Sequence, residues 1–165
     1  MEYLNQRGLT MGTIKTGLVK GTTSTLTTTV TSAGMINGKY VSGVAALTNS
    51  AAPTTDATTG AAFVAMGDNK ATVLVVGQNA AGTVLMAQGS IEDTEPGVTT
   101  TAGSFIKAPQ FPTLPDDFMV WGYNLVRTAP SASDYTPGTS EWAATGVTAS
   151  EFVQCGVLPS RPQTS

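Results

Sequence analysis

No stretch of ten residues in this chain carries apolar side chains at helical spacing between capping residues. An amphipathic helix needs them three and four apart, and a half-buried strand needs them two apart. The second spacing recurs. In "TLTTTV", residues 25–30, Leu26, Thr28 and Val30 fall on one face and Thr27 and Thr29 on the other. Threonine is β-branched and suits a pleated surface. The surrounding run, residues 21–33, holds only Gly, Thr, Ser and Ala apart from Leu26 and Val30, and no charge. The chain therefore reads as all-β.

Local signals place the strands. Asn37-Gly38 in "MINGKYV" is the strongest short hairpin signal, since both residues accept the positive φ of a type I′ turn. Strands are expected over 25–36 and 39–46, with Gly34 marking a bulge or a break. A second hairpin joins "ATVLVV" to "TVLMAQG" through "GQNAAG", residues 77–82, with Val73, Val75, Val84 and Met86 towards a core. Pro112 and Pro115 lack amide donors and hold the chain extended at a sheet edge or outside it. "FMVWGYNLV" then resumes as a strand with the densest aromatic content, and "EWAATGVTASEFVQCGVL" supplies two more short strands. Such turn-punctuated strands predict a β-sandwich, of which a jelly roll is one form, or a barrel. Residues 1–24 have weak periodicity and four glycines, and read as an extended N-terminal arm or a loosely attached strand, on a body spanning 25–165.

Composition narrows the way of life. Charged residues are 12% of the chain, about half of the roughly 25% usual in soluble domains. Few charges mean weak repulsion between copies and a surface that is cheap to dehydrate. A chain packed against neighbours is expected. Arg7, Lys15, Lys20 and Lys39 against Glu2 give residues 1–40 a balance of +3, and the remainder carries −6. A basic N-terminal segment on an acidic body could clasp an acidic neighbour. Lys and Arg are not clustered as a nucleic-acid footprint requires, so no nucleic-acid partner is expected. No apolar run approaches the roughly 20 residues of a membrane span, so no membrane partner is expected either. "MEYLNQRGLTMG" lacks the apolar core of a secretory signal, and Cys155 is alone. Synthesis and folding in a reducing cytoplasm follow as expectations.

The chain has no histidine. That removes the commonest general base, the Ser-His-Asp and Cys-His arrangements, and most zinc and copper sites. Glu92, Asp93 and Glu95 share one loop, and Asp116 adjoins Asp117 in another. Acids held about 5–10 Å apart across a groove could cleave a glycosidic bond. Oxygen ligands could bind calcium, but neither spacing matches a calcium loop. Solvated loop acids are the default. Trp121, Tyr123 and Trp142 could stack on sugars or anchor an interface, while core packing is the commoner fate of such residues. No enzyme activity, cofactor or metal is expected.

Several stretches together carry a resemblance: "AALTNSAAPTTDATTGAAFVAM", "GTVLMAQGSIED", "APQFPTLPDDFMVWGYNLV" and "SEWAATGVTASEFVQCGVLPSRPQ". Over residues 36–163 the chain resembles a family of small virion structural proteins of tailed bacteriophages, the head decoration or cement proteins. The resemblance implies a jelly-roll-like sandwich that binds the major capsid protein on the capsid exterior and associates with itself as a homotrimer or homodimer. It implies synthesis in the host bacterial cytoplasm and no catalysis. Interface candidates are Arg7, Lys15 and Lys20 in the arm, Trp121 and Tyr123 in the aromatic strand, and Arg161 in the tail. The alternative is a head or tail fibre that binds host glycans through loops around Trp121, Tyr135 and Trp142. A non-viral carbohydrate-binding module, or a glycosidase using the acidic loops, is the third reading.

Overall fold

The computed structural model describes residues 9–131 and 134–164 and contains no helix among them. The strands are β1 (Met11–Gly12), β2 (Val19–Lys20), β3 (Thr25–Thr27), β4 (Ala33–Ile36), β5 (Lys39–Ser42) and β6 (Ser50–Ala51). They continue with β7 (Lys70–Gln78), β8 (Val84–Gln88), β9 (Glu92–Asp93), β10 (Met119–Thr128), β11 (Val147–Ala149) and β12 (Val153–Gln154). All pair antiparallel, in three sheets, none closing into a barrel among the described residues. One small sheet has the order β1-β4-β5 and another β2-β3-β6. The central sheet runs β11-β10-β7-β8, with β12 also on β10 and β9 also on β7.

Turn chemistry sets the two hairpins. Ile36 pairs with Lys39, leaving Asn37 (φ 51°) and Gly38 (φ 77°) as a two-residue turn with both φ positive. This is the I′ geometry whose twist matches the flanking strands. In the β7–β8 hairpin the Asn79 side-chain oxygen accepts from the Ala81 and Thr83 amides, and Gly82 takes φ 80°.

β7 and β10 form the spine and are buried along both faces, which is why they read as nearly continuous apolar runs. Leu74, Val76, Met119, Trp121 and Val126 face one core, with Leu18, Leu26 and Ile36 of the N-terminal third packed against them. Val73, Val75, Val120, Tyr123 and Leu125 face a second core, covered by Phe105, Phe111, Leu114 and Leu158 from loops and tail. The expected core residues therefore divide: Met86 packs with the first set, Val84 is partly buried against it, and Val73 and Val75 belong to the second. The proline-bearing stretch 111–115 lies outside the sheet, as expected, and screens that second face.

A β-bulge shapes the spine. Val120 pairs with Gly77 and Gly122 with Val76, so Trp121 is an extra residue facing no partner of its own. Gly77 sits at the crossing, where an added Cβ would stand 2.1 Å from the Met119 carbonyl oxygen.

Differences from the sequence reading have physical causes. β3 ends at Thr27, so Leu26 and Thr28 are buried while Val30 is exposed. "AAFVAM", residues 61–66, makes only isolated bridges, Ala62 to Thr55 and Met66 to Tyr135, yet it buries Phe63 and Met66. The described part of the segment read as an arm, residues 9–24, lies against the body. β1 pairs with β4, β2 pairs with β3, and Leu18 is only 1% exposed.

Candidate functional site

Large apolar side chains and cations are exposed together in the N-terminal third of the chain. This third holds the two small sheets. Leu9, Ile14, Val19, Val30 and Tyr40 are exposed, Tyr40 by 71%. Lys15 and Lys39 are exposed on the same N-terminal third. β5 is an edge strand, so its outer backbone groups face away from β4. Beside it runs a groove of about 530 Å³ lined by Tyr40, Val41, Gly43, Val44 and residues 80–82. An edge strand with an exposed aromatic is a template for pairing with another chain. The β4–β5 turn places Tyr40 there, and the Leu9 carbonyl accepts from the Gly38 amide to brace that turn.

The sequence-derived interface residues disperse. Arg7 lies outside the described residues. Lys15 is exposed. Lys20 is occupied within the chain: its Nζ donates to the Ala149 carbonyl at 2.7 Å and pairs with Glu151 at 2.9 Å. It ties the N-terminal segment to the β11–β12 region. Trp121 (3% exposed) and Tyr123 (0%) are core residues on opposite faces of β10, so neither offers a surface for a partner. Arg161 is exposed in the tail and lines a shallow groove of about 570 Å³ with Pro159, Ser160 and Pro162. The aromatics proposed as sugar platforms lack an open face. Trp142 and Tyr135 are buried, and the Trp142 indole donates to the Thr25 carbonyl at 2.8 Å.

Of the loop acids, Glu92 and Asp93 are paired with lysines, while Glu95, Asp116 and Asp117 form no ion pair among the described residues. Glu92 accepts from Ser90 at 2.8 Å and from Lys107 at 3.1 Å, and these contacts hold its carboxyl below the ordinary range. Asp93 pairs with Lys70. Asp56 is buried and spends its carboxylate on the amides of Thr58 and Gln88 and the Thr59 hydroxyl, closing a turn. Among the described residues no three His, Cys, Asp or Glu side chains gather as a metal would need. Cys155 is half-buried, and burial pushes its thiol pKa up, away from the reactive thiolate.

Sequence reasoning missed Tyr40 and Arg127. Tyr40 follows the Asn37-Gly38 turn, and a two-residue turn fixes which strand residues alternate outwards. Arg127 closes the apolar run of β10 and shares the parity of Tyr123 and Leu125, which places it on the second core face. Its guanidinium lies 5.0 Å above the Phe105 ring and donates to the Gly103 carbonyl at 2.7 Å.

The class these features define is a weakly charged all-β protein whose N-terminal third exposes large apolar side chains. Comparison with protein-family models, with curated proteins and with solved structures finds no match to this chain.

Proposed function

We propose that this chain is a non-catalytic structural protein whose working state is buried against neighbours. Within that class, we read it as a decoration or cement protein of a tailed-bacteriophage head. It would bind the assembled lattice of the major capsid protein on the capsid exterior and associate with copies of itself. The observation that carries the reading is the N-terminal third, where Leu9, Ile14, Val19, Val30 and Tyr40 are exposed, as are Lys15 and Lys39. Apolar groups gain free energy when covered, at about 25 cal/mol per Å². A surface with few charges has little dehydration cost to offset that gain. The free β5 edge can add main-chain hydrogen bonds to an extended segment of a neighbour.

The mechanism is linkage. A protein that binds only the assembled shell stabilises that shell by mass action. Repeated identical contacts raise the effect through multivalency. No bond is made or broken. In fold terms we read the two small sheets and the central sheet as the layers of a sandwich. The first core supports this, because Leu18, Leu26 and Ile36 meet Leu74, Val76 and Trp121 across it. The jelly-roll form remains part of the same proposal.

The test is heat or chelator resistance of expanded heads that lack the protein, with and without its addition. Heads that gain resistance in proportion to added protein support the reading. Heads that gain none, together with binding to a glycan array, would favour the fibre reading.

A further inference from the structure

Arg127 is the half-buried cation of the second core face, and it forms no ion pair among the described residues. Its cross-strand neighbours are Ala71 on β7 and Thr148 on β11. One of its nitrogens is satisfied by Gly103, and its carbon rests on the Phe105 ring. A guanidinium carries five N–H donors, so most of the fork remains for another partner. The register sets Glu92 beyond Ala71 in the same row as Arg127, but its carboxylate accepts from Ser90 and Lys107 and forms no ion pair with Arg127.

The fork opens on a groove of about 220 Å³ between the end of β10, the Phe105 loop and the C-terminal tail. Phe105 and Leu125 give it an apolar wall, and Thr148, Ser150, Gln163 and Thr164 give it a polar rim. The tail is held there by the Gln163 amide donating to the Tyr123 hydroxyl at 3.2 Å. Among the described residues no second cation lines the groove, so its charge complements a monoanion better than a phosphate dianion.

We propose that this groove receives a single carboxylate on a short aliphatic stem, the chemistry of a glutamate or aspartate side chain presented by a neighbouring protein. The carboxylate would take the free edge of the Arg127 fork in two parallel hydrogen bonds, a geometry only arginine offers. The stem would lie against Phe105 and Leu125. The identity of the neighbour rests on the lattice-binding reading above; the carboxylate specificity does not.

The experiment is an NMR titration of the full chain, following the Arg127 side-chain Nε–H and the amides of Thr148 and Ser150. The probes are glutarate, N-acetylglutamate amide and, as the neutral control, N-acetylglutamine amide. Saturable shifts at those three positions with the two acids, and none with the amide control, are expected. R127K keeps the charge but loses the fork, and should weaken binding by about tenfold or more, while R161Q should leave it unchanged. Equal response to acid and amide, unsaturable shifts, or equal loss in R161Q would overturn the assignment. If R127K loses the free acids yet attaches to heads as wild type does, the groove binds carboxylates but not the lattice. That outcome overturns the neighbouring-protein source and leaves the lattice-binding reading standing.

Discussion

Trp121 and Tyr123 stand two residues apart on β10 and bury on opposite faces of the central sheet. Strict alternation would put them on one face. The bulge at Trp121 inserts one residue between the pairs Val120–Gly77 and Gly122–Val76 and reverses the parity beyond it. Each ring therefore serves a different core. Trp121→Ala should lower stability by about 3–5 kcal/mol. Tyr123→Phe, which removes only the bond to the Gln163 amide, should cost about 1 kcal/mol. Urea denaturation measures both. A Trp121→Ala protein of unchanged stability that no longer attaches to heads would return Trp121 to the interface.

The N-terminal segment is part of the first core through Leu18. Leu18→Ala should cost about 2–5 kcal/mol, again by urea denaturation. A loosely attached arm would show almost no change. For the same reason, deleting residues 1–24 should unsettle the body as well as any attachment, since β3 and β4 would each lose a paired neighbour.

Among the described residues, buried side-chain polar atoms of Thr16, Thr94, Trp121, Asn124 and Tyr135 have no protein hydrogen-bond partner. Burial raises the Tyr135 phenol well above its ordinary pKa. Removing an unpaired buried hydroxyl removes a desolvation penalty. Tyr135→Phe should be neutral or stabilising by up to about 1 kcal/mol in thermal or urea unfolding. A loss greater than about 1 kcal/mol would mean that the hydroxyl is satisfied after all.

Glu92 sets a small acid-sensitive contribution. Its carboxyl is held below the ordinary value of 4.5, first by the Ser90 hydroxyl and then by Lys107. A depressed carboxyl stabilises the fold above the unfolded-state value, and that contribution is lost as pH falls through the folded-state value. Wild type should therefore lose more Tm than Glu92→Gln on acidification below about pH 4.5. Parallel acid limbs would remove this pair from the pH response.

Legibility followed the range of the interaction. Asn37-Gly38 and the 77–82 connection were readable because each turn is dictated by residues adjacent in sequence. The two-residue strands β1, β2, β6, β9 and β12 carry too few positions to show any period, and all but β2 pair with a strand that is not their neighbour in sequence. The Trp121 bulge was hidden for the same reason: it depends on Gly77 of another strand, whose missing side chain lets the Met119 carbonyl approach. Lys15, named from sequence, is exposed on the candidate surface, whereas Arg161, also named, is exposed in the tail away from it. Lys20 found an internal partner in Glu151, which charge counting along the chain does not reveal. Tyr40 and Arg127 escaped notice because exposure and pairing depend on the tertiary fold.

The exposed side chains of the N-terminal third should tolerate change in isolation and fail in attachment. Tyr40→Lys should shift unfolding stability by no more than about 0.5 kcal/mol, as exposed substitutions do. It should weaken binding to heads by about tenfold or more, the loss expected for an interfacial aromatic.

The most direct measurement is co-sedimentation of the purified chain with expanded heads that lack it, titrated to saturation. A plateau at a fixed number of copies per head, reached by wild type and displaced to higher concentration by Tyr40→Lys, is the predicted result. Binding that never saturates, or a protein that stays in the supernatant as a lone monomer at every concentration, would contradict it.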